Sequence, residues 1–360
     1  MGISMENRRM LQFSEPLFKT WSSDNFLISS ILSKDTAYDW FMNYYVNTMC
    51  VIKDDITNAS PSILFHPACI PTTSQFICNV WDLCPFIEKI TLNREIVKLE
   101  YEKFSDFVIK FISNNYFIYA NFEQSKIRKE KYTHKAYITG FNVNSNEIYL
   151  SDNVDFGRFT NFSLSFEDIN NAFIKADDII PLYDKDHQME ENSIYLIKVK
   201  EFNYKFNINL FIQFLKNYLN SESGMGFISN ICNTPYRKDK FYYGVVIYNF
   251  INDYLNRLLN NVTKSLDNRI FTFLLDYENL MLKKINYLIK NNYLRDFNFI
   301  LKQINENIKI SEVMLYLFLK FGISNDKKEL MKIQNYLSFL NNKDINLIEN
   351  LLNNISGGED

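Results

Sequence analysis

Three histidines and five cysteines bound the covalent and acid–base chemistry open to this chain. His187 lies in the polar run Asp184-Lys-Asp-His-Gln188 and reads as a solvated loop residue. His66 precedes Pro67, and the run His66-Pro-Ala-Cys69 has no metal-ligand spacing. His134 differs. It opens a β-like run, and Asp152 closes the next one, 18 residues on. An antiparallel hairpin can set the first residue of one strand beside the last residue of its partner. The Asp carboxylate would then orient the imidazole and stabilise its cationic form, as in Cys-His-Asp and Ser-His-Asp sites. The competing reading is a strand-edge histidine and a turn aspartate that never meet, and spacing alone does not choose between them.

Such a pair calls for a nucleophile at the start of a helix. There the helix dipole lowers a thiol pKa and backbone N–H groups can hold an oxyanion. The helix expected after Trp21-Ser-Ser-Asp-Asn25 is in the right place but has no cysteine. Ser22 and Ser23 read as capping residues, with Ser23 or Asp24 as the N-cap. Cys50 is expected at the end of a second helix, buried. Cys69, Cys78, Cys84 and Cys232 complete an odd number with no CxxC pair. That argues against a zinc site and a disulfide framework, so no metal is expected and a reducing cytoplasm is.

The elements that must position these residues follow from periodicity. Tyr116–Ala120, Ala136–Phe141 and Glu147–Asp152 alternate or run apolar as strands do, the last two joined by the Asn-rich turn 142–146. Ser193–Lys200 reads as one more strand. Helices are expected over Phe26–Leu32 and over Thr36–Val51. Beyond residue 200 the period becomes helical. Ile208, Phe211, Ile212, Leu215 and Leu219 form one stripe. Ile247, Ile251, Leu255 and Leu258 belong to a second, and Ile270 to Leu288 carry a third. Phe297 to Ile308 carry a fourth, and two short segments follow around Leu330–Leu340 and Ile345–Leu352. The expected organisation is a domain over 1–200 and an all-helical part over 201–360 packed on it.

With 360 residues, 47% hydrophobic and 22% charged, the chain has the balance of a folded protein of two domains. Net charge is −3 and the only basic cluster, Lys126 to Lys131, is short, so nucleic-acid binding is not expected. No run reaches the roughly 18 apolar residues of a membrane span, and the start MGISMENRRM has no apolar h-region, so neither membrane nor secretory signal is expected.

These motifs, taken in order, resemble the butirosin-biosynthesis-protein-H-like family. The likeness rests on Leu17-Phe-Lys-Thr-Trp21, Asp24-Asn-Phe-Leu-Ile-Ser-Ser-Ile-Leu32, Asp39-Trp-Phe-Met-Asn43, His134-Lys-Ala-Tyr-Ile-Thr-Gly-Phe141 and Ile148-Tyr-Leu-Ser-Asp152. It continues through Phe159, Ser165-Phe-Glu-Asp-Ile169 and Phe173. In the helical half it includes Tyr243–Tyr248, Arg269–Phe273, Glu278 and Tyr287-Leu288. The resemblance implies an α+β chain with a papain-like cysteine-protease fold and antiparallel sheet in its N-terminal half. It implies thiotemplated natural-product biosynthesis, nonribosomal peptide or polyketide, and an acyl group moved from a carrier protein to an amine. The family's His and Asp fall on His134 and Asp152, and its cysteine position on or beside Asn25. The expected site is therefore Asn25, His134 and Asp152, with substrate contacts from Trp21, Ser23, Asp24 and Tyr137.

Two functions fit that pattern. One is an accessory pseudoenzyme that binds a carrier-tethered acyl or peptidyl intermediate. The other is an active transferase using His134 as general base. Expected partners are an acyl or peptidyl carrier protein or peptide synthetase and a small-molecule acyl acceptor, and a homodimer is compatible with the sequence. No cofactor is expected beyond phosphopantetheine on the carrier.

Overall fold

The Asn-rich segment after Phe141 makes the turn its composition predicts, and Asn146 closes it at φ 58°, a left-handed conformation that asparagine tolerates. Strands of ten and eight residues flank it, and they organise the first of two compact units. The computed structural model describes residues 7–20, 22–52, 60–66, 84–128, 132–154, 158–182, 191–223 and 240–356. Cys69, Cys78, Cys232, His187 and Trp21 lie outside the described residues. The units are Met1–Ala37 with Thr72–Asn203, and Tyr38–Pro71 with Tyr204–Asp360.

The first unit starts with β1 (Arg8–Met10) and α1 (Ser22–Ile31). The chain passes to the second unit for α2 (Ala37–Asn43), β2 (Asn47–Ile52) and β3 (Ser62–His66). It returns for β4 (Ile87–Asn93), α3 (Arg94–Glu100), α4 (Phe104–Ser113), β5 (Phe117–Glu123), α5 (Ser125–Arg128) and β6 (Thr133–Asn142). Then follow β7 (Glu147–Val154), β8 (Arg158–Ser165), α6 (Phe166–Lys175) and β9 (Ser193–Val199). The sheet order is β4-β9-β5-β6-β7-β8 and every pairing is antiparallel. β1 pairs with β6 from Gly140 onward, where β5 has ended at Ile138. A side chain at Gly140 would put its Cβ 2.5 Å from the Arg9 carbonyl oxygen, so the glycine is what lets β1 approach.

Aromatic side chains fasten helices to both faces of this sheet. On one face the Phe104 ring of α4 stacks on Phe173 of α6 at 4.0 Å, with Phe122 of β5 edge-on beside them. On the other, Phe26 of α1 lies flat against Tyr137 of β6, which lies flat against Tyr119 of β5. All but the half-buried Tyr119 are buried, and each such buried side chain contributes roughly 1.5–3 kcal/mol on leaving water.

The second unit continues with α7 (Ile208–Leu219), β10 (Lys240–Tyr243), α8 (Ile247–Leu259), α9 (Arg269–Lys290), α10 (Phe297–Ser324) and α11 (Lys327–Asn354). It is thus helical apart from a small antiparallel sheet, β10-β2-β3. Three expectations are corrected here. The domain boundary near residue 200 holds for the return point, but Tyr38–Pro71 belongs with the C-terminal segment, because β2 is the central strand of that sheet. The expected helix over Thr36–Val51 stops at Asn43. Tyr45 turns left-handed at φ 59°, and Asn47-Thr-Met-Cys-Val-Ile52 becomes β2, so Cys50 is a buried strand residue. Burial pushes its thiol up to about 12, which makes it unreactive. Finally, the two short terminal segments are one helix, α11. Their apolar stripe is continuous through Leu340 and Leu347 except where Asp344 occupies a core position.

This topology has a consequence for cleavage. A single proteolytic cut near residue 203 is expected to leave the two fragments associated under native conditions. The second unit draws β2 and β3 from the N-terminal fragment, and β2 is buried between its neighbours. Size-exclusion chromatography of the nicked protein reads this directly, and two separately eluting folded fragments would contradict it.

Candidate functional site

Register places the pair that spacing left open. Tyr137 faces Ser151 and Ile138 faces Leu150 across β6 and β7. Continuing that register sets Ala136 opposite Asp152, and the two-residue period puts His134, Ala136 and Asp152 on one face. His134 is then the diagonal neighbour of Asp152. Its Nδ1 lies 2.9 Å from Asp152 Oδ2. A carboxylate only accepts, so Nδ1 carries the proton and Nε2 is the basic nitrogen. Asp152 is wholly buried, and its other oxygen accepts from the Asn153 N–H at 2.7 Å. The His134 side chain keeps 34% of its surface open, and among the described residues its one side-chain hydrogen bond is the one from Nδ1 to Asp152. A partly exposed histidine held at Nδ1 by a buried carboxylate is arranged as a general base.

Two residues that the sequence reading passed over hold this corner in place. Gln124, fully buried just after β5, donates from Nε2 to the His134 carbonyl at 3.1 Å and to the Phe122 carbonyl at 3.5 Å. It fixes the backbone from which the imidazole projects. Asn153 donates from Nδ2 to the Thr20 carbonyl at 3.3 Å. That bond ties the loop before α1 to the end of β7, one residue from Asp152, and so brings the helix start to the same corner. Neither residue belongs to a motif, because their partners are backbone carbonyls that any residue type supplies.

No protein-family model matches the chain, and no curated protein sequence matches it.

Asn25 lies within the first turn of α1, fully buried. Its Oδ1 accepts from the Phe18 N–H at 2.9 Å, while Nδ2 has no hydrogen-bond partner among the described residues. Asn25 makes no hydrogen bond with His134, so the expected triad is present as a His134–Asp152 pair with Asn25 serving the loop before its own helix. The expected N-cap is corrected too: α1 begins at Ser22, which places Ser23 and Asp24 inside its first turn. Asp24 is buried. Tyr137 is likewise corrected as a substrate contact. It alternates to the face opposite His134 and is fully buried between Phe26 and Tyr119, where burial raises its phenol well above 10.

A cleft of about 620 Å³ also opens in this unit, lined by Gln12, Phe13, Tyr149, Ser151 and Asn161 among others. None of the residues lining it is charged, and neither His134 nor Asp152 is among them.

Proposed function

We propose that the chain is a papain-like acyltransferase relative without a nucleophilic cysteine, which moves an acyl or peptidyl group from a carrier-protein thioester directly to an amine. The single observation that supports this is the His134–Asp152 pair, with its buried carboxylate, fixed tautomer and partly exposed imidazole. Asn25 supports the loss of the covalent route, since a buried carboxamide engaged with Phe18 cannot form a thioester.

In the proposed step the amine nitrogen attacks the thioester carbonyl carbon and forms the C–N bond. His134 Nε2 takes the N–H proton, and the Asp152 carboxylate stabilises the imidazolium. The tetrahedral species collapses by breaking the C–S bond, and the imidazolium returns the proton to the departing thiolate. One amide and one carrier thiol result, and nothing is oxidised or reduced. The setting would be thiotemplated natural-product assembly in the cytoplasm. Partners would be a phosphopantetheine-bearing carrier protein and a small amine.

Purified protein given an acylated carrier and an amine is expected to form the amide faster than the uncatalysed reaction. Its own intact mass should stay unchanged. Carrier binding without faster product would instead establish the accessory, non-catalytic reading. A stable acyl adduct on the protein would overturn the direct route.

A further inference from the structure

The helical unit buries a polar cluster that the acyl-transfer reading does not use. Asp344 of α11 sits at a core position with 1% of its surface exposed. Its Oδ2 accepts from the hydroxyls of Tyr248 on α8 and Tyr218 on α7, the latter at 3.4 Å. Its Oδ1 accepts from Asn307 Nδ2 on α10 at 2.7 Å. Glu278 of α9 is fully buried against the same group, with Tyr277 of α9 beside both carboxyls. Among the described residues no lysine, arginine or histidine bonds to either carboxyl.

Glu278 decides the protonation of this cluster. With both carboxyls ionised, neither Glu278 oxygen has a well-formed hydrogen bond among the described residues, although Asn307 lies close by and the residue has no exposed surface. Such a buried, uncompensated charge is strongly unfavourable. The group it meets is the Asp344 carboxyl, and two carboxyls in contact form a hydrogen bond only when one of them carries a proton. A protonated Glu278 donating to Asp344 would give that carboxylate a fourth donor beside the two tyrosines and Asn307.

We propose that Glu278 and Asp344 share one proton in the native protein and form a pH-sensitive lock on α7, α8, α9, α10 and α11, closed at acidic and neutral pH and weakened as pH rises. Burial raises both carboxyls, and the neighbouring Asp344 charge raises Glu278 further. The sign follows. A carboxyl whose pKa is higher in the folded than in the unfolded state binds its proton more tightly when folded. Its contribution is complete below the unfolded value and is lost as pH rises through the folded one. That is opposite to the trend set by exposed paired carboxylates such as Glu306 beside Lys343, which lose stability as pH falls.

Infrared spectroscopy of the full chain at neutral pH tests the shared proton directly. The carbonyl band of a protonated carboxylic acid should be present in the wild-type protein and lost in Glu278→Gln. In parallel, the urea midpoint of the wild type should fall between about pH 5 and about pH 8, and Glu278→Gln should flatten that fall. Absence of the band in the wild-type protein at neutral pH overturns the proposal whether or not the variant folds. An undiminished fall in Glu278→Gln overturns it as well.

Discussion

Lys284→Met is expected to remove most of the stability of the second unit. The Lys284 ammonium, 1% exposed on α9, donates to three backbone carbonyls at the end of α2: Phe41 at 3.0 Å, Met42 at 2.8 Å and Tyr44 at 2.6 Å. These are among the carbonyls that the last turn of a helix leaves without intrahelical donors, and the left-handed Tyr45 that follows turns the chain into β2. Burial pulls the Lys284 pKa well down. The three acceptors act the other way, because only the charged amine has three N–H donors, and a cation at a helix C-terminus is favourable. Methionine keeps the volume but leaves three acceptors unmet, at roughly 1–3 kcal/mol each. Against a typical total of about 5–15 kcal/mol, that loss is decisive. Denaturant unfolding monitored by near-ultraviolet circular dichroism should show a midpoint lowered severely or no folded baseline. A shift under about 1 kcal/mol would mean that water satisfies those carbonyls.

His134→Ala is expected to lower the amide-forming rate by about 10²–10⁴, the usual contribution of a positioned general base. Its fold should change little, since the ring is one-third exposed and no other side chain leans on it for a hydrogen bond except Asp152. Asp152→Asn should lower the rate as well, by removing the charge that stabilises the imidazolium and by allowing the wrong tautomer. The diagnostic contrast is Gln124→Leu. It frees the His134 carbonyl but leaves the imidazole and Asp152 intact, so the rate should fall less than in His134→Ala while carrier binding is retained. Equal rates in wild type and His134→Ala would remove the general base from the proposed step.

The hairpin was readable because its signals are local. A two-residue period and an Asn-rich turn determine β6 and β7, and they alone place His134 at one strand's start and Asp152 near the next strand's end. The helices beyond residue 200 were readable for the same reason, since each apolar stripe is contained in its own segment. Two errors have one cause. Trp40, Phe41, Tyr44 and Tyr45 recur at helical spacing, but the strand Asn47–Ile52 is decided by pairing with β3 on one side and, on the other, with β10, which lies far away in sequence. The two segments expected in place of α11 are separated where Asp344 interrupts the apolar stripe between Leu340 and Leu347. The burial of that aspartate depends on hydroxyls and an amide supplied by three other helices.

Local pattern therefore decided the hairpin strands and the helices beyond residue 200, and which two side chains could meet at the hairpin. Tertiary structure decided what those and other polar groups do. It made the Asp152 carboxylate a buried orienting group, engaged Asn25 with the Phe18 N–H, and brought Glu278 against Asp344. The reason is physical. Periodicity reports which face of an element is apolar, whereas the state of a buried polar group is set by the donors and charges that other elements bring to it.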